Sequence, residues 1–385
     1  MRKENGSCFF NRFRTGWTGF LLTTVCMVAL VASALVPMSA DAASAKKDSG
    51  KLEVGFITVG PVSDWGYNYQ HNQGRLGMEA MLRDQVHTVV VENVPETADV
   101  ERVMQRMIQS GVKLIFPTSY GYASSSLRVA KKNPGVTFMQ PLGTQQSKNL
   151  GTCSLNVWEP AYVSGVVAAM TAKGETKFGF VGSIPIPPIK WTVSAFALGA
   201  QSVNPDITVD LVYTNAHNDP AAEKEAVNSL AARGVKAVYV LVDSPIAGVQ
   251  AAEEAGMYAL SHLSDLSSFA PTKWVTGAIW KWSKLYTDVT KLVLEGKWEP
   301  KNYSGGFAEG YVDIAPFGPA VPHEAQLKAR ALIAEIAAGK KNVFEGPIYD
   351  SEGKQRVPAG ESMAMADIFK FDWVVKGVRG APSGK

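Results

Sequence analysis

Cysteine is the first scarcity. Three occur in 385 residues, and two of them, Cys8 and Cys26, fall within the first 42. Cys153 then stands alone, so no internal disulfide can staple the rest of the chain, and no Cys/His cluster offers a structural zinc site. The five histidines (His71, His87, His217, His262, His323) are scattered. Charge of one sign is scarce too. The formal net charge is +3 with no long basic or acidic run, which excludes a nucleic-acid groove and a basic membrane patch. Motifs of reaction chemistry are also missing: no G-x-S-x-G elbow, no H-E-x-x-H, no P-loop, and no G-x-G-x-x-G dinucleotide fingerprint. What remains for catalysis is a pair drawn from scattered residues, such as His262 with Asp265 or Asp243. No enzyme activity, metal or cofactor is expected.

What is present begins with a leader. Arg2, Lys3, Arg12 and Arg14 precede the apolar run GFLLTTVCMVALVASALV, which small residues follow in PMSADAASA. A basic, then apolar, then small-residue order describes an export signal, here residues 1–42 with cleavage near Ala42–Ala45. The alternative is a retained membrane anchor. A short linker at 43–51 leads into a near-neutral chain that is long enough to hold together by its core alone.

That chain alternates short β-branched runs with helical stretches, as a parallel sheet wrapped by helices requires. LEVGFITVG, HTVVVENV, VKLIFPTS and VTFMQP read as strands separated by helices. The second half repeats the plan with KFGFVGS, ITVDLVYTN, VKAVYVLVDS and MYALSH. The duplication is visible in letters, MIQSGVKLIFPTS (107–119) against LAARGVKAVYVLVDS (230–244). Asp219 before Pro220 is a good N-cap with proline at the first helical position. Two doubly wound lobes are therefore predicted. Ligands bind beyond the carboxyl ends of such strands, so loops 58–70, 117–124, 183–191, 241–246 and 261–268 are expected to line one cleft.

Those loops are rich in rings. SDWGYNYQH sets Trp65, Tyr67 and Tyr69 at alternate positions in a turn; Trp158 follows Cys153, Trp191 follows PIPPIK, and AIWKW supplies Trp280 and Trp282. Rings at loop tips suit a flat ligand held in a stack. Polar groups stand near them in sequence: Asp64, Asn68, Asn156, Asp243, Ser244 and His262. Asp64 has a second reading, as the cap of a helix beginning near Tyr67.

The chain from about 52 to 375 resembles the basic-membrane-protein (PnrA-like) family of ABC-transporter substrate-binding proteins, in its purine-binding branch. VGFI, GPVSDWGYNYQHNQG, ENV, GVKLIFPTSYGY, GFVGSIPIP and FALGAQSVNPD carry the resemblance, in order. It implies a type I periplasmic-binding-protein fold, two Rossmann-like lobes joined by crossovers. Lobe 1 would take 52–158 plus about 276–310, lobe 2 would take 159–275 plus about 311–375, and a tail would follow at 376–385. It further implies a periplasmic, monomeric receptor that captures a purine or related flat heterocycle for a membrane permease. Tyr67 falls where the family stacks an aromatic on the purine, followed by Asn68, while Asn156 and Asp243 occupy pocket positions. Nucleoside-binding members carry an acid near 258–262 and a lysine after VTGAI to hold the ribose; here His262 and Trp280 stand there. That departure favours a bare base. The alternatives are a nucleoside receptor, a ligand sensor for a membrane kinase, and a purine-acting enzyme.

Overall fold

A computed structural model describes residues 50–380. The export signal expected at 1–42 lies outside the described residues. The first half runs β1 (Leu52–Thr58), α1 (Tyr67–Leu82), β2 (Val86–Val91), α2 (Asp99–Gln109), β3 (Leu114–Thr118), α3 (Ala123–Lys132), β4 (Thr137–Pro141) and β5 (Leu150–Leu155). After α4 (Trp158–Thr171) come β6 (Lys177–Gly182), α5 (Pro187–Gln201), β7 (Thr208–Tyr213), α6 (Pro220–Ala232), β8 (Ala237–Leu241), α7 (Ile246–Glu254), β9 (Tyr258–Ser261) and β10 (Trp274–Trp280). Then follow α8 (Trp282–Leu294), β11 (Asn302–Gly305), β12 (Val312–Ile314) and α9 (His323–Ala337). The chain closes with β13 (Ile348–Tyr349), β14 (Gln355–Val357), α10 (Met365–Ile368) and β15 (Val378–Arg379).

Two lobes result, each with its own sheet: β11-β5-β4-β3-β1-β2 in the first and β12-β10-β9-β8-β6-β7-β15 in the second. Pairing is parallel throughout except where β12 runs against β10. Strands such as β3 and β5 are buried at every position, which explains why they read as apolar runs without alternation. Rings stack within each sheet's cover, Phe56 on Phe116 at 4.8 Å and Phe180 on Tyr239 at 5.2 Å between centroids.

The helices follow local chemistry. Asp219 caps α6 as expected, its Oδ1 accepting from the Ala221 and Ala222 N–H groups at 3.1 Å. The linking helix α4 shows no amphipathic pattern because it is buried on nearly every side, and the alternation argument does not reach it. It packs backbone-close on α5: a Cβ on Gly165 would come within 3.0 Å of the Phe196 carbonyl carbon, and one on Gly199 within 2.9 Å of that of Tyr162.

The chain passes between sheets three times, through 156–157 after β5, at Lys281 after β10, and through 306–311 after β11. The sequence reading returned the chain to the first lobe near 276. The strand β10 instead stays in the second sheet to Trp280, and the chain returns to the first lobe only with α8, packed on α1, and β11. The expected tail also differs. Val378 and Arg379 pair with Val209 and Asp210 as a parallel edge strand, so backbone hydrogen bonding ties this segment down.

Candidate functional site

The site starts from the turn after β1. The Asp64 carboxylate gathers the opening of α1: Oδ1 accepts from the Gly66 N–H at 2.9 Å and the Tyr69 N–H at 2.8 Å, and Oδ2 from the Asn68 N–H at 2.9 Å. It thus satisfies N–H groups that a helix start leaves without partners. Of the two readings of Asp64, the cap is the one realised. Asn68 completes this knot, its amide donating to Asp64 Oδ2 at 2.7 Å and its Oδ1 accepting from the Gly60 N–H at 3.2 Å. Both ends of Asn68 are therefore committed within the turn. Trp65 adopts the left-handed region at φ 56° and turns outward, stacking on Tyr69 at 5.2 Å and meeting Phe269 edge-on at 6.0 Å. Tyr67, two residues on, points the other way.

A cavity of about 110 Å³ opens between the lobes, several-fold the roughly 10–15 Å³ that one water needs on the same measure. Each of the five strand-end loops singled out in the sequence contributes to its wall, for example Tyr67, Ser119, Trp191, Asp243 and His262. Trp280, at the end of β10, closes it, meeting Tyr67 edge-on at 5.8 Å and His262 at 5.4 Å. Behind them Trp282 stacks on His71 at 4.5 Å and on Tyr286 at 5.2 Å.

Of the nine residues named from the sequence, Tyr67, Trp191, Asp243, His262 and Trp280 line this cavity. The other four do not. Trp65 and Asn68 are held in the turn as described. Trp158 lies behind the wall, packing edge-on against Trp191 at 5.7 Å and against Phe369 at 6.5 Å. Asn156 sits between the lining residues Leu155 and Val157, and its amide donates to Glu159 Oε1 at 3.0 Å in the crossover.

Sequence reasoning passed over Glu96 and His217, which line the cavity together with Ser183 and Trp282 of the expected cleft segments. Glu96 and His217 follow β2 and β7, so the strand-end rule would have found them had it been applied to those two strands as well. Glu96 accepts from the Ser119 hydroxyl and, at 3.0 Å, from the Gly121 N–H. His217 Nδ1 lies 3.8 Å from Asp243 Oδ2.

The electrostatics are those of a dry site. Burial holds the His262 imidazole down to a pKa of about 3, so the ring is neutral at physiological pH. Burial, then the charges of Asp64, Glu96 and Glu223, push the Asp243 carboxyl well above the ordinary carboxylate range. Among the described residues, twelve buried side-chain polar atoms have no hydrogen-bond partner within the protein. Five of them belong to cavity-lining residues: Tyr67 Oη, His262 Nε2, and the Nε1 atoms of Trp191, Trp280 and Trp282. Buried polar groups are rarely left unpaired. Five of the twelve thus gather on one cavity.

No group of three or more His, Cys, Asp or Glu side chains is placed to hold a metal among the described residues. Nor is any described helix long and apolar enough to cross a membrane.

Comparison with known proteins agrees with this geometry. The family described as Bmp, ABC transporter substrate-binding protein PnrA-like, matches residues 51–350. The purine-binding protein BAB2_0673 of Brucella abortus (strain 2308) is 38% identical over 329 residues, 85% of this chain and 93% of that protein. A putative ABC transporter glucose-binding protein, TsgA13 of Haloferax volcanii, is 29% identical over 79% of this chain and 77% of its own length. Among solved structures, a solute-binding protein of an ABC transporter system from Conexibacter woesei superposes with a TM-score of 0.63 at 20% identity, covering 76% of this chain and 98% of that one. The architecture is thus the two-lobed α/β fold of type I periplasmic-binding proteins.

Proposed function

Because the chain belongs to the Bmp, PnrA-like family of ABC-transporter substrate-binding proteins, we propose that it captures a bare purine-like nucleobase between its lobes and delivers it to a membrane permease. One observation carries the reading: an aromatic cavity at the strand ends holds five buried polar atoms that have no partner in the protein. Flat faces with a few orienting hydrogen bonds are what a heterocycle needs. Tyr67 would supply a stacking face and Trp191, Trp280 and Trp282 the walls. The similarity to a protein named as purine-binding supports the class of ligand.

The preference for a base over a nucleoside rests on two positions. His262 and Trp280 occupy the places where the resemblance expects a carboxylate and an ammonium for ribose, and neither carries a charge. Among the described residues no lysine or arginine lines the cavity, so a phosphorylated ligand finds no counter-ion among them. The leader read at 1–42 supports export to the periplasm.

Calorimetric titration with adenine, guanine, hypoxanthine and xanthine, their nucleosides, and glucose tests the reading. At least one base is expected to bind and to raise the melting temperature. Heat with glucose alone would remove the purine claim, and tighter binding of the nucleosides would remove the preference for a bare base.

A further inference from the structure

Two buried histidines are each held by a buried tyrosine. Tyr286 Oη lies 2.5 Å from His71 Nδ1, and Tyr239 Oη lies 2.6 Å from His262 Nδ1. The second pair reaches the cavity. The Tyr239 hydroxyl is also approached by the backbone N–H of Ala278, which can only donate to it. Its own proton therefore goes to His262 Nδ1, the acceptor within reach. The imidazole is neutral, so an unprotonated Nδ1 leaves its hydrogen on Nε2. That nitrogen is buried, belongs to a lining residue and has no partner in the protein.

The tautomer changes what the cavity asks of its ligand. The indole nitrogens of Trp191, Trp280 and Trp282 are donors only, and His262 Nε2–H joins them. Four of the five unpartnered polar atoms on the cavity are thus fixed donors, and Tyr67 Oη can serve either way. Acceptors are fewer. Glu96 already takes the Ser119 hydroxyl and the Gly121 N–H, which leaves the Asp243 carboxyl group, through its carbonyl oxygen, as the main acidic side chain open to a ligand N–H.

We infer that His262 Nε2–H is a specificity-determining donor and that the ligand it selects is a carbonyl-bearing (oxo) purine rather than an amino-purine. The inference rests on the purine reading above and goes one step further, to the edge of the base. Exchanging a ring carbonyl for an exocyclic amine replaces two lone pairs by two N–H groups. Against a fixed donor, the amine leaves both partners desolvated and unpaired, the situation in which sites discriminate most strongly.

Hypoxanthine and adenine differ at this one substituent and its neighbouring ring nitrogen, so competitive calorimetry with the two reads the selection. The wild-type protein is expected to bind hypoxanthine at least about tenfold more tightly. Tyr239→Phe keeps the ring in place but frees the imidazole to carry its hydrogen on either nitrogen; the ratio should fall toward one, whatever happens to absolute affinity. Long-range nitrogen–proton NMR of the unliganded protein gives a readout that needs no ligand, and should show His262 protonated at Nε2 alone. Equal or tighter binding of adenine, or an Nδ1–H tautomer, would overturn this inference and leave the purine reading standing. Failure of every purine to bind would overturn both.

Discussion

Tyr67 and Asp243 meet backbone to backbone across the two lobes: the Tyr67 N–H donates to the Asp243 carbonyl at 3.2 Å. Tyr67 opens the helix after β1 of the first sheet, and Asp243 follows β8 of the second. The approach is permitted by the residue before Tyr67. A Cβ on Gly66 would lie 2.7 Å from the Asp243 carbonyl carbon, closer still to its oxygen, and 3.0 Å from Pro245 Cδ. Two further contacts join the lobes nearby, Gln70 Nε2 to Ser264 Oγ at 2.7 Å and Trp65 edge-on to Phe269. Tyr67 and Asp243, which both line the cavity, thus also tie the lobes together beside it.

Gly66→Ala should oppose this approach without touching either lobe's core. Overpacking of this kind costs roughly 1–3 kcal/mol, expected here as about a tenfold or greater loss of affinity for whichever base binds. Small-angle scattering with ligand present should give a larger radius than wild type. Wild-type affinity and radius would show that the contact is incidental to closure.

Tyr67→Ala removes the predicted stacking face and should weaken binding by about 1–3 kcal/mol, from lost area and ring contact. Titration calorimetry measures it. An unaltered dissociation constant would move the stacking platform to the tryptophans on the opposite wall.

Trp158→Ala separates packing from contact. The ring is buried against Trp191, Phe344 and Phe369 but does not line the cavity. Its truncation should cost about 3–5 kcal/mol of stability by denaturant unfolding. Affinity measured on the folded fraction should fall less than for Tyr67→Ala. The reverse ranking would mean that Trp158 reaches the ligand.

Glu223 gives a pH test. It is fully buried on α6, neither carboxyl oxygen has a well-formed hydrogen bond, and burial, partly offset by the nearby backbone N–H groups of Asp219 and Gly248, raises its pKa from 4.5 to about 7. A raised folded-state pKa means that stability is fullest below the unfolded value and is lost as pH rises through the folded one. The loss should therefore develop between about pH 4.5 and 7. Glu223→Gln keeps the shape without the charge and should stabilise the protein by ~2–3 kcal/mol at pH 8, with little effect at pH 4.5. Parallel melting curves for the two proteins across that range would refute the assignment.

Much of this molecule follows from sequence alone. Hydrophobic runs bounded by turn residues specify strands, the duplicated GVK-apolar-Ser segments specify two like lobes, and the strand-end rule locates five loops that do meet at one cavity. These are local or repeating properties, and local chemistry determines them. The family resemblance is legible for the same reason, being written in consecutive residues.

What tertiary structure decided is the direction in which each side chain points. Trp65, Tyr67 and Asn68 are neighbours in sequence, yet only Tyr67 reaches the cavity. A left-handed residue turns Trp65 outward, and Asp64 and the Gly60 N–H between them consume both ends of Asn68. Trp158 and Trp191 look alike in the chain, and their packing against each other puts one behind the wall and one in it. The hydrogen on His262 depends on Tyr239, 23 residues away, and on the N–H of Ala278 in another strand. A sequence specifies which groups exist and where the chain turns. Which of them face each other, and with which protons, is set by contacts between residues far apart in the chain, and those form only when the lobes pack.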